Sequence, residues 1–126
     1  MLPLVKAIVS DIMELSTRIM QTHERLRAMR NRVGESQSAK YNDEVVEIEA
    51  GLNRDCERLD EYVSELRELG VEPKGLADGL VDFPAMLDGN VVNLCWRFGE
   101  EKIEFWHTLD GGFSGRQDID PGQFDN

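Results

Sequence analysis

The sequence predicts an α+β fold, a long antiparallel helical hairpin packed on a three-stranded antiparallel β-meander. Three observations carry this. Residues 3–33 and 43–69 repeat apolar side chains with a period of seven, and three short apolar runs follow within 80–108. An Asp-Gly pair and a glycine-containing turn separate those runs.

The first helix is expected over 3–33. With Val5 as heptad position a, the a positions are Val5, Ile12, Ile19, Leu26 and Val33, and the d positions are Ile8, Leu15, Thr22 and Met29. Pro3 suits a first helical turn, where its missing N–H costs nothing, and Gly34 is a plausible stop. A polar loop, 34–42, leads to a second helix over 43–69. Its a positions are Val45, Leu52, Leu59 and Leu66, and its d positions are Ile48, Asp55, Tyr62 and Leu69. Asp43 serves as N-cap. Gly70 serves as C-cap, with Val71 folding back on Leu66.

Charge is uneven along the chain. The net charge is -11, yet residues 1–33 hold six basic and three acidic groups, whereas 42–70 hold ten acidic and three basic. The two helices are therefore expected to meet. Simple antiparallel pairing sets Arg32 opposite Glu44 and Arg30 opposite Glu49, but also Arg18 near Arg58 and Asp11 near Glu65. Apolar residues outside the seam, among them Leu4, Val9, Met13, Met20, Val46, Cys56 and Val63, exceed what one hairpin face needs. A homodimer through the helices is the expected use of that surplus.

Residues 70–79 read as a connector. The meander over 80–108 is expected from the runs 80–87, 91–98 and 102–108. Asp88-Gly89 makes the first turn and 99–102 the second. Those turns pair Val81 with Trp96, Phe83 with Leu94 and Ala85 with Val92. They then pair Trp96 with Phe105, Leu94 with His107 and Arg97 with Glu104. Phe105 and His107 are thereby expected on the helix-facing side with Trp96. Trp106 is expected on a mixed polar side with Asp82, Cys95 and Arg97. Residues 109–118 form a glycine-rich loop, which closes a single domain spanning 1–118. Residues 119–126 read as a flexible tail.

The segments Gly79-Leu-Val-Asp-Phe-Pro84, Leu94-Cys-Trp-Arg-Phe-Gly-Glu100 and Phe105-Trp-His-Thr-Leu-Asp-Gly-Gly-Phe-Ser-Gly-Arg116 resemble an uncharacterised bacterial family, domain of unknown function 2203. The resemblance covers about residues 2–118. It implies the fold and a bacterial origin, and it implies no activity.

The composition narrows the function classes. A net negative chain repels phosphate, so nucleic-acid binding is not expected. This holds despite Arg25, Arg27, Arg30 and Arg32, which suit a helix C-terminus beside an acidic partner. Cys56 and Cys95 make no disulfide framework and no zinc-finger spacing, which points to a reducing, cytoplasmic compartment. No membrane span, cofactor or metal is expected. His23 with Cys56 supplies too few ligands, and Cys95 with His107 is set aside because the expected register places them on opposite faces.

Two functional expectations follow. The first is a non-catalytic oligomeric domain that binds a partner protein or small anion through Trp106, Arg97, Arg116 and Asp82. The alternative is a small enzyme with His107 as acid/base, Glu100 or Asp110 assisting, and Arg116 holding an anion.

Overall fold

A computed structural model describes residues 1–33 and 39–120. Two long helices, α1 (Leu2–Val33) and α2 (Ala39–Glu68), precede an antiparallel sheet. Its strands are β1 (Glu72–Gly75), β2 (Leu80–Leu87), β3 (Asn90–Arg97), β4 (Phe105–His107) and β5 (Gln117–Asp118), in the spatial order β1-β2-β3-β4-β5. The α+β architecture with a helical hairpin is as expected, but the sheet has five strands, not three. The two additional strands come from the connector and the glycine-rich loop, where short Pro- and Gly-containing segments pair along the edges of the meander. Helix α2 begins earlier than Asp43. The expected polar loop is helical from Ala39, and the rest of it, together with the end of the tail (121–126), lies outside the described residues.

The heptad seam forms as its spacing dictates. Val5, Ile8, Ile12, Leu15, Leu26 and Met29 are buried on α1, as are Leu52 and Leu66 on α2. Helix α2 ends in a Schellman motif. Gly70 adopts φ 79°, its N–H donates to Arg67 O at 3.0 Å, and the Val71 N–H donates to Leu66 O at 3.0 Å. Val71 is thereby driven into the core beside Leu66. The ion pairs follow simple opposition only in part. Arg30 does pair with Glu49, but Glu44 meets Arg25 at 3.5 Å and Arg18 meets Asp55 at 2.9 Å. The Arg18 hydrogen bond holds the Asp55 carboxyl below the usual carboxylate range. Arg25, Arg27 and Arg30 each have a carboxylate partner (Glu44, Glu24 and Glu49), so much of the basic cluster is neutralised within the hairpin.

The sheet docks near one end of the hairpin. Val5, Ile8, Val9 and Ile12 of α1 and Leu66 of α2 pack with Val71, Val81 and Trp96. Met13, Leu59, Tyr62 and Val63 lie at the margin of this core. Several apolar residues outside the heptad seam, including Val9, Met13 and Val63, are used here. Beyond them the hairpin continues for about 20 residues of α1, roughly 30 Å at the helical rise.

Gly79, just before β2, lies close against α1 at Met13 and Val9. It holds φ 67°, and a Cβ there would lie 2.6 Å from Phe98 Cβ and 2.7 Å from Met13 Sδ. Its carbonyl accepts the Phe98 N–H at 2.9 Å. Gly79→Ala is expected to cost about 2–3 kcal/mol through the left-handed backbone and overpacking. A lower urea midpoint with an unchanged slope is the reading; an unchanged midpoint would mean that neither the left-handed backbone nor the Phe98 and Met13 contacts constrain this position.

The first hairpin has the expected register, Val81↔Trp96, Phe83↔Leu94 and Ala85↔Val92, set by Asp88 (φ 51°) and Gly89 (φ 81°). The second does not. Cys95 pairs with Phe105, Leu94 with Trp106 and Asn93 with His107. This is a slip of one residue, so every side chain of β4 changes face. The physical reason lies in the connection, which is longer than the four-residue turn expected from 99–102. Its path is fixed by Glu100, whose carboxylate accepts the Arg97 N–H at 2.6 Å while its carbonyl accepts Trp96 Nε1–H at 2.9 Å. The slip puts the large Trp106 ring on the Trp96 side, where it is 9% exposed.

Candidate functional site

The register of β4 decides which chemistry-bearing residues meet. Asp82 on β2 pairs with Cys95 on β3, Cys95 pairs with Phe105 on β4, and His107 lies two residues further along β4. All four side chains therefore project from the side of the sheet opposite Val81 and Trp96. The expectation that Cys95 and His107 point apart is overturned by this geometry, as is the placing of His107 against the helices.

Asp82, Cys95 and His107 are 2%, 0% and 3% exposed. One ligand atom from each lies within 4.8 Å of the others. His107 Nε2 is 3.0 Å from Asp82 Oδ1, and its Nδ1 is 2.7 Å from the carbonyl oxygen of Thr108. A carbonyl only accepts, so Nδ1 carries a hydrogen and donates it. A single hydrogen between Nε2 and Oδ1 then completes the pair. Burial pushes the Cys95 thiol above its ordinary range, against the opposing pull of the Arg116 guanidinium.

The glycine-rich segment folds over this side of the sheet as a strap. Gly112 (φ 59°) leads into a short 3-10 turn, Phe113–Gly115, and Arg116 follows. The Arg116 guanidinium lies 4.0 Å from the Phe105 ring centroid and 4.6 Å from that of Phe113. It donates to Glu100 Oε1 at 2.7 Å and to Cys95 O at 3.4 Å. Strap, Glu100 turn and buried cluster thus form one connected unit.

The other sequence-derived candidates fall as follows. Glu100 is half-buried and is the anchor of Arg116 and of the Arg97 amide. Asp110 is exposed in the turn before the strap. Arg97 is exposed, 5.7 Å from the Phe113 ring centroid, beside a groove of about 220 Å³ lined by Asp78, Leu80, Arg97 and Phe113. Trp106 is buried and is not a surface anchor. Arg116 is paired and its side chain is 14% exposed, so the expected open anion cradle is closed by Glu100.

Chemically, the arrangement does not activate a nucleophile. A Cys–His pair needs one imidazole nitrogen for the thiol, and here both nitrogens are engaged, by Asp82 and by the Thr108 carbonyl. The residue that sequence reasoning left out is Cys95. Its signal was present in the alternation Asp82, Cys95, His107 across three strands, but reading it required the correct register.

No described helix is long and apolar enough to cross a membrane. A family model described as "Uncharacterized conserved protein (DUF2203)" matches residues 1–119. No curated protein and no solved structure matches the chain.

Proposed function

This chain belongs to the DUF2203 family, and from that premise we propose that it is a non-catalytic, self-associating domain whose helical arm pairs with that of a second copy. The observation that carries the proposal is the arm itself. Past the sheet-docked end, the two helices bury a single seam, including Leu15, Leu26, Met29 and Leu52, while Met20 (63%) and Val46 (64%) remain exposed. The product is a four-helix bundle with a β-sheet head on each protomer.

Recognition of a partner protein or small anion then falls to the strap side of the head. Arg97 beside exposed Phe113 offers a cation and a ring at the edge of the groove with Asp78 and Leu80. This replaces Trp106 and Arg116 as the contact residues, because those two are internally engaged.

Light scattering tests the assembly. A mass of twice the 14.3 kDa chain is expected, and Met20→Glu with Val46→Glu should return it to one chain with an unchanged far-ultraviolet spectrum. A wild-type mass of one chain at all concentrations sinks the reading.

A further inference from the structure

We propose that Asp82, Cys95 and His107 form a binding site for a divalent transition metal with zinc-like ligand preference. The donors come from three adjacent strands, β2, β3 and β4, and share one face of the sheet. They supply one carboxylate oxygen, one sulfur and one imidazole nitrogen, all within 4.8 Å of each other. Sulfur, nitrogen and oxygen together are the donor set of zinc and its neighbours, whereas magnesium and calcium take oxygen alone.

The orientation of His107 favours metal binding. Metal-binding histidines commonly donate the non-ligating N–H to a backbone carbonyl, which fixes the ring and aims the other lone pair at the metal. Here Nδ1 donates to Thr108 O at 2.7 Å and Nε2 points into the cluster at Asp82 Oδ1. The metal takes the place of the hydrogen between Nε2 and Oδ1. A tetrahedral site with bonds of about 2.0–2.3 Å sets its donor atoms about 3.3–3.6 Å apart, so the Cys95 sulfur must draw in by about 1 Å while Nε2 and Oδ1 part slightly from their 3.0 Å contact.

The charges balance. Binding releases two protons, one from the Cys95 thiol and one from the His107–Asp82 pair. It leaves a thiolate, a carboxylate and a neutral imidazole around the dication, with net charge zero. The neighbouring Arg116 lies against Cys95, where it favours the thiolate, and its own charge is answered by Glu100 at 2.7 Å. Among the described residues three side chains complete the donor group, so the fourth position falls to a water molecule.

Cobalt(II) is the probe, because a cobalt–thiolate bond gives a near-ultraviolet charge-transfer band and tetrahedral cobalt gives intense visible bands. The metal is added to the folded full chain and, separately, during refolding, so that burial of the site does not block access. Cys56→Ser removes the exposed thiol and leaves Cys95 as the sole thiol. A charge-transfer band at one cobalt per chain is expected in both wild type and Cys56→Ser, lost in Cys95→Ser and displaced by zinc. Absence of the band from folded and refolded protein overturns the proposal. So does a band that disappears in Cys56→Ser, which would place the metal on the exposed helix cysteine. The wild-type and Cys56→Ser titrations decide the matter even if Cys95→Ser fails to fold.

Discussion

Replacing Trp96 by alanine should lower stability by about 3–5 kcal/mol, the usual cost of removing a large buried aromatic. Trp96 is fully buried where α1, α2 and the sheet meet, packed with Val5, Ile12, Leu66 and Val81. Against a total of about 5–15 kcal/mol for a domain, the loss is a large fraction of the net stability. The ring also reaches past the core. Its Nε1–H donates to Glu100 O, and Glu100 in turn holds Arg116. Trp96→Ala should therefore loosen the strap and expose Cys95 to a thiol reagent, with Cys56→Ser as the background so that one thiol is counted. Trp96→Phe keeps most of the apolar volume and loses only the hydrogen bond, at about 1–2 kcal/mol. Urea denaturation followed by circular dichroism gives the energies. A loss below about 1 kcal/mol in Trp96→Ala would mean that the core is not organised around this ring.

The second large effect is expected at Asp82. Its removal in Asp82→Ala leaves a buried histidine nitrogen unpaired beneath the strap, at about 1–3 kcal/mol, and adds the cost of the cavity left by the carboxylate. The pair is side-chain exposed by only 4% at His107 and 2% at Asp82, so water does not compensate for the lost partner. Asp82→Asn should be far milder. An amide N–H can donate to Nε2 while Nδ1 still donates to Thr108 O, so both nitrogens stay satisfied. A double-mutant cycle between Asp82→Ala and His107→Ala should return a coupling of about 1–3 kcal/mol. Additive losses would show that each residue acts through separate neighbours.

These two sites mark the boundary of what the residues reveal on their own. Val5, Ile8, Ile12 and Leu15 announce their buried face by spacing alone, because helical geometry is local and the period of seven needs no partner to be read. The same holds for the Gly70 cap with Val71 against Leu66, and for Asp88-Gly89, whose positive φ angles fix the register of β2 against β3. Each is decided within a few residues of chain.

The pairing of β3 with β4 is different. Its connection has no two-residue turn signal, and its path depends on Glu100 reaching back to Arg97 and Trp96 and forward to Arg116. The slip of one residue that results moves His107 from the helix side to the Asp82 and Cys95 side and buries Trp106. Because side chains alternate along a strand, an error of one position exchanges core for site. The edge strands β1 and β5 are equally non-local, since Glu72–Gly75 and Gln117–Asp118 become strands only by pairing with β2 and β4. The helical hairpin, its cap, the first β-hairpin and the α+β class are legible along the chain, because all of them rest on local periodicity and turn chemistry. The five-stranded sheet and the Asp82–Cys95–His107 cluster are not legible there, because contacts between segments far apart in the chain set the register that brings those three side chains together.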